Sequence, residues 1–568
     1  MSTKRDIWLR VLLVLALLVV VNIISSFVNG YIDLTEDKRF TLTEPTVEVV
    51  NNIDEYVYIK VLLDGEFPAG FKRLQTATKD LLDEFKGINN KIQFVFEDPT
   101  QGDRQDVMNR REELAKLGIV PTSLQYYDGT QTVTKAIYPF AIINLSNRQV
   151  AIPLLEEQQP GVDENIILNN SVSLLEYKFA DALQKVQDVE PKNIVFTKGN
   201  GELPLQNTYA LEKQLRKFHN TGRIDLDSVT YLSDEIDLLI IAAPTQPYSL
   251  KDQFKIDQYL MNGGKIIWLI ESLDADLDSI SKYKYYVPRD INHGLGDLLF
   301  KYGVRIQPNL ILDLESTRIP QIVGMQGDKP QTQLFTWPYH PAIYPESKHP
   351  IVKNLDRINM FFPSSIDTIK TEGNIKKTIL LRSSPYSRLQ FNPVRLNFEI
   401  LKSPFDPANF TDGYQPVSVL LEGEFESAFK NRVSEDFKNT LKTLDQEFKS
   451  ISKPTKQLIV SDVDFTKSLV NSRTQKSEDI GFNKWEVRYF KGNKDFINNA
   501  VEYMLDEKGV LQARSKEIKL RLLDKVRTKQ EKSKWQAINI GLPLLFLFIF
   551  GILFNWWRKK KYTTINPS

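Results

Sequence analysis

Residues 237–271 read DLLIIAAPTQPYSLKDQFKIDQYLMNGGKIIWLIE, and this stretch decides the fold class. Its opening run, DLLIIAAP (237–244), is short, apolar and continuous, the pattern of a strand buried on both faces of a parallel sheet. Residues 250–261 follow as a helix, and Asn262, Gly263 and Gly264 supply a left-handed stop. KIIWLIE (265–271) is the next buried strand. Strand, helix and strand joined by short connections form a βαβ unit.

Working upstream, residues 165–187 read as a helix with Ile166, Leu174, Phe179 and Leu183 among its apolar positions. NIVFTKGNGE (193–202) is a strand running into a Gly-bounded loop, and residues 210–218 are helical. Residues 161–313 therefore predict an open, doubly wound α/β domain. Before it, YVYIKVLL (56–63) and KIQFVFED (91–98) read as strands around a helix near 71–85, a second βαβ unit. Thr43, Glu44 and Pro45 read as an N-cap with acid and Pro in the first turn. A helix near 108–117 and one or two antiparallel strands within 131–155 complete a first α/β domain over 29–160.

Downstream the pattern loosens into short strands and Pro-bounded turns, then returns to α/β in VSVLLEGEFESAFKNR (417–432), KQLIVSDVDF (456–465) and a helix near 494–505. Residues 314–505 are thus a mixed, β-rich and α/β region. LLDGEFPAGFKR (62–73) and LLEGEFESAFKNR (420–432) echo each other. They are either a duplicated ligand loop or two strand-to-helix turns meeting similar geometric demands.

Both ends of the chain are apolar. VLLVLALLVVVNIISSFV (11–28) and INIGLPLLFLFIFGILFNWW (538–557) are each long enough to cross a ~30 Å hydrocarbon core at ~1.5 Å per residue. Lys4, Arg5 and Arg10 precede the first, and Arg558, Lys559, Lys560 and Lys561 follow the second. This bias predicts residues 1–6 and 558–568 in the cytoplasm, spans at 7–28 and 538–557, and the bulk exported. The lysines of 525–534 oppose that bias at the second span. A cleaved signal peptide is the rival reading of the first. Residues 506–537 predict a charged juxtamembrane helix with Ile518, Leu522 and Val526 in a narrow apolar stripe. Its flanking cations, Lys519, Arg521 and Lys525, suit either contact with a membrane partner or lipid phosphates.

Apolar content of 42% and charged content of 26% fit packed globular domains. A net charge of +1 argues against nucleic-acid binding. Zero cysteines exclude disulfides, thiolate metal sites and thiol nucleophiles together. No Gly-x4-Gly-Lys-Ser/Thr loop or Gly-x-Ser-x-Gly elbow occurs, and His340 and His349, each before a Pro, lack metal-ligand spacing. No catalytic, cofactor or metal residues are assigned. WPYHPAIYP (337–345) stands out: Trp337, Tyr339 and Tyr344 on a Pro-stiffened backbone form either an exposed recognition loop or an aromatic plug on the domain's own core.

Residues 237–279, 331–370, 376–387 and 493–525, in this order, resemble the gliding-motility-associated ABC transporter auxiliary proteins of the GldG type. The resemblance covers nearly the whole chain, with one departure: Gly199, Asn200, Gly201 and Glu202 stand where the family pattern has a histidine in second position. It implies a non-catalytic partner of a separate permease and cytoplasmic ATPase, anchored in the bacterial inner membrane with its bulk in the periplasm. It also implies a flavodoxin-like or amidotransferase-like domain without the amidotransferase cysteine. A passive periplasmic scaffold and a degenerate amidotransferase-like hydrolase are the alternative readings, and self-association stays open.

Overall fold

The computed structural model describes residues 12–14, 16–17 and 41–562, apart from 128–130, 157–162, 189, 284, 372, 403, 444–445, 471–476, 507 and 516–524. The first apolar stretch therefore lies almost wholly outside the described residues. Two compact units emerge, Met1–Glu517 and Ile518–Ser568.

Within the first unit the mixed α/β class holds, and two sheets organise it. The N-terminal sheet has Val57–Val61 at its centre, parallel to Ile92–Phe96 and antiparallel to Phe140–Leu145, with Arg148–Pro153 at the edge. Helix Ala69–Ile88 links the parallel pair, as the sequence pattern predicts. Two strands pass through 131–155 outside this edge strand, Thr132–Ile137 and Phe140–Leu145, so the region holds three in all. Helix Glu44–Asn51 begins after Thr43, whose side chain does not cap it. Instead the Thr43 hydroxyl and amide both donate to Glu176 Oε1, at 2.9 and 2.7 Å.

Glu176 sits on the long helix Glu164–Gln187. Sequence order suggests a place for this helix in the second domain, yet Leu168, Leu175, Phe179, Leu183 and Val186 are buried in the core of the N-terminal module. These positions recur at three-, four- and seven-residue intervals, one helical face.

The central sheet has seven strands in the order Ile375–Arg382, Pro416–Gly423, Thr455–Val460, Ile266–Leu269, Leu238–Ala242, Asn193–Lys198, Asn220–Asp225. The last five are mutually parallel; Pro416–Gly423 runs against them and Ile375–Arg382 runs against it in turn. The strands read as a separate late region therefore join the same sheet. Alternation divides the side chains between two cores. Leu238, Ile240, Ile267 and Leu458 meet helices Leu205–Leu215 and Lys491–Leu505 on one face. Leu239, Ile241, Ile266, Trp268 and Ile459 meet helices Leu250–Met261 and Gly296–Tyr302 on the other. Ser249 caps Leu250–Met261 by accepting from the Asp252 amide at 3.2 Å, and Gly263 leaves it at φ +100°. Both helix bounds match the sequence pattern.

A β-rich insertion lies between the fourth and fifth parallel strands. Its main feature is a hairpin of Ser316–Gln326 with Lys329–Ile343, over a core of Leu310, Leu312, Trp337, Tyr339 and Leu396. The echoed segments diverge here. Residues 62–73 lead from a strand into helix Ala69–Ile88, whereas 420–432 lead from strand Pro416–Gly423 into irregular turns.

The second unit, described by itself, is one helix, Lys525–Tyr562, with Pro543 inside it. Its segment Glu531–Lys560 is long enough, and its central run apolar enough, to cross a membrane. Lys560 stands 5.4 Å over the Trp556 ring near its end.

Candidate functional site

A cleft of about 720 Å³ lies between the N-terminal module and the central sheet. That volume falls within the ~300–1,000 Å³ of small-ligand sites, which favour junctions between modules. Helix Glu164–Gln187 brings Tyr177, Asp181 and Lys185 to it, and helix Lys491–Leu505 brings Glu502. Phe218 and His219 enter just beyond helix Leu205–Leu215.

Lys185 is the centre of this cleft. Its Nζ lies 2.9 Å from Asp181 Oδ2, one helical turn away, and 2.9 Å from Glu502 Oε1. It also stands 4.8 Å over the Phe218 ring. Burial pushes the Asp181 carboxyl up to about 6; Lys185 opposes this and Glu502 adds to it. Burial works to raise Glu502 as well, yet Lys185 and His219 hold it down to about 2. Lys185 itself is raised: burial opposes its charge, and the two carboxylates more than offset that. The Arg148 guanidinium donates to the Val186 and Asp188 carbonyls and closes the end of the long helix. Asp506 accepts the amides of Lys508, Gly509 and Leu511. The charges of the floor are thus satisfied internally. His219 differs: its ring nitrogens have no hydrogen-bond partner, and Nε2 is 4.0 Å from Glu502.

Sheet order marks a second place. Counted along the chain, the five parallel strands lie in the order fifth, fourth, third, first, second, so direction reverses between Asn193–Lys198 and Leu238–Ala242. Ligands of open α/β sheets bind outside the carboxyl ends at such a point. Here that crevice is closed by its own loops. The Asn200 carbonyl accepts the amides of Thr245 and Gln246 at 3.0 and 2.9 Å, and Glu202 accepts from the Asn200 amide and the Tyr248 hydroxyl. Gly201 has φ +76°, and a Cβ there would stand 2.1 Å from Thr245 Oγ1. Only glycine permits so close an approach.

The sequence-derived candidates are not brought together. WPYHPAIYP is mostly strand, the end of Lys329–Ile343, and not a loop. Trp337 is fully buried and Tyr339 nearly so, their rings 5.2 Å apart, and the Tyr339 hydroxyl donates to Gln390 at 2.7 Å. Strand alternation and the neighbouring aromatic core turn both rings inward, so Tyr344, 61% exposed, is the one of the three open to a partner. Lys519 and Arg521 lie outside the described residues, and Lys525 begins the C-terminal helix. Sequence reasoning missed Asp181, Lys185, His219 and Glu502. The i,i+4 spacing of Asp181 and Lys185 was the one legible signal.

Residues 191–500 match the family described as an ABC-type uncharacterized transport system, and residues 36–144 match a domain of unknown function, DUF7088. An uncharacterized protein of Borreliella burgdorferi is 23% identical over 418 residues, covering 72% of this chain and 75% of the relative. The solved mmIFT52 N-terminal domain aligns over 55% of this chain and 97% of its own, at 11% identity and a TM-score of 0.30. The first of these matches spans more than half of the chain, which therefore belongs to the ABC-type uncharacterized transport system auxiliary family.

Proposed function

We propose that the protein is a non-catalytic auxiliary subunit of an ABC-type membrane complex of the GldG type, supporting gliding motility beside a separate permease and cytoplasmic ATPase. In this reading both apolar ends span the inner membrane, the termini are cytoplasmic, and the body lies in the periplasm. The central sheet then serves as a doubly wound domain that binds or transmits to envelope partners and does no chemistry. The observation that carries the reading is the C-terminal helix, apolar enough to span, in a chain of a transport-system family that has no ATP-binding loop of its own. The cleft supports it: a lysine held between two carboxylates on different modules couples them, and offers no activated nucleophile.

Affinity purification of the full chain from native membranes tests this. Co-purification of a polytopic permease and an ATPase is expected. A chain that extracts alone leaves the passive scaffold, and amide or ester turnover by the purified protein would replace the reading with a hydrolase.

A further inference from the structure

A cavity of about 120 Å³ lies where the β-rich insertion meets the carboxyl end of the central sheet. Asp276 reaches it from the loop after Ile266–Leu269, and Asp464 and Lys467 from the loop after the adjacent strand Thr455–Val460. Loops at this end of an open α/β sheet are where ligands bind. The insertion adds His340, with Phe361 and Phe362 packed edge-on against it. His340 is 1% exposed, and neither ring nitrogen has a hydrogen-bond partner. Burial, and then Lys484, keeps the imidazole neutral, so one acceptor and one donor stand unused at the cavity wall. A polar group so placed costs stability unless something in the cavity pairs with it.

We infer that this cavity binds a small organic ammonium, which donates an N–H to the bare His340 nitrogen and lays its alkyl part against the phenyl rings. The charges choose the sign. Lys467 pairs with Asp464 at 3.0 Å and Lys484 with Asp278 at 2.6 Å, which leaves Asp276 in excess among the lining charges. Asp276 is met by neutral donors, the Asp278 and Ser279 amides and the Ser279 hydroxyl, each at 3.1 Å. Behind the wall, Asp462 accepts the Phe361 amide at 2.7 Å. Burial, and then the Asp464 charge, pushes the Asp462 carboxyl well above the usual range. One more anion is therefore disfavoured here and a cation favoured. A metal ion suits the cavity less, since among the described residues no three His, Asp or Glu side chains converge to hold one. The volume is about four times the ~30 Å³ share of one water and well below the ~300–1,000 Å³ of larger ligand sites, so the ligand has only a few heavy atoms. Asp278 and Lys484, 60% and 41% exposed, open the cavity to solvent.

Ligand-observed NMR on the full-length protein in detergent, with ethylammonium as the probe, tests this. Saturable binding is expected. His340→Phe places an apolar ring among Phe361 and Phe362 and keeps the fold, yet should weaken binding at least about tenfold, because a charge-assisted hydrogen bond is lost. Asp276→Asn retains an oxygen for the Asp278 and Ser279 amides while removing the excess charge. It should weaken binding severalfold and leave the melting temperature nearly unchanged. Tetramethylammonium has no N–H to donate, and acetate is an anion of similar size; each should bind at least about tenfold more weakly than ethylammonium. No saturable binding of ethylammonium, an affinity unchanged in either variant, or equal binding of either comparison ion would overturn the inference.

Discussion

Lys185 Nζ lies 2.9 Å from Glu502 Oε1, an ion pair between the long helix of the N-terminal module and the helix that closes one face of the central sheet. Their side chains are 17% and 26% exposed. Lys185→Met removes the cation from between Asp181 and Glu502 and leaves two partly buried carboxylates facing each other. The expected loss is about 2–3 kcal/mol, below the ~3–5 of a fully buried pair. A shift of the urea midpoint checks it, and Glu502→Gln, which leaves Lys185 paired with Asp181, should cost less.

The same cluster sets a pH dependence. Asp181 has a folded pKa of about 6 against an ordinary 3.8. The folded state then binds the proton more tightly, so this group's contribution to stability falls as pH rises from about 4 to about 6. Its size is on the order of 2–3 kcal/mol. Glu502 acts in the opposite sense: held at about 2 against an ordinary 4.5, its contribution is present above pH 4.5 and is lost as pH falls toward 2. Melting temperatures of wild type and Asp181→Asn, compared between pH 4 and 6, should show the wild type losing ground as pH rises.

Asp257 is fully buried on helix Leu250–Met261 and accepts four hydrogen bonds. They come from the Tyr302 hydroxyl at 3.0 Å, the Ser427 hydroxyl at 2.7 Å, the Ala428 amide at 2.8 Å and the Gln258 side chain at 2.9 Å. Asp257→Ala strands several buried donors at once and should cost about 3 kcal/mol. Denaturant unfolding followed by tryptophan fluorescence measures this, since Trp268 lies on the same sheet face.

His340 predicts a gain. Burial pushes its imidazole down to about 3, and Lys484 adds to the fall, so the ring is neutral. Neither ring nitrogen has a hydrogen-bond partner, and Phe361 and Phe362 pack edge-on at 4.8 and 4.9 Å. His340→Phe removes an unpaired polar group and fills part of an adjoining cavity of about 120 Å³. A stabilisation of about 1 kcal/mol is expected, read as a higher urea midpoint. Destabilisation would show that the imidazole has work there that the packing does not reveal.

Legibility followed the range of the forces involved. Residues 237–271 announced their strand, helix and strand because burial on both faces leaves unbroken apolar runs, and Asn262 with Gly263 stops the helix locally. The N-terminal βαβ unit was equally plain. WPYHPAIYP was harder. Its prolines suggest a turn, yet Trp337 and Tyr339 are held by an aromatic core gathered from residues as distant as Phe362 and Phe398. Nothing local tells Pro416–Gly423 and Thr455–Val460 which sheet to join. The cleft was least legible, because Glu502 reaches Lys185 only after the whole body has closed.

That late closure has a consequence for how the chain is made. Strand Ile266–Leu269 pairs on one side with Leu238–Ala242, but its other neighbour is Thr455–Val460. At ~5–20 residues per second, roughly ten seconds or more separate the synthesis of the two. Throughout that interval Ile266, Ile267, Trp268 and Leu269 present an apolar strand with one bare edge, the arrangement most prone to pair with the wrong chain. A nascent chain stopped before residue 455 should aggregate, and the intact protein needs that edge guarded until its partner strand arrives.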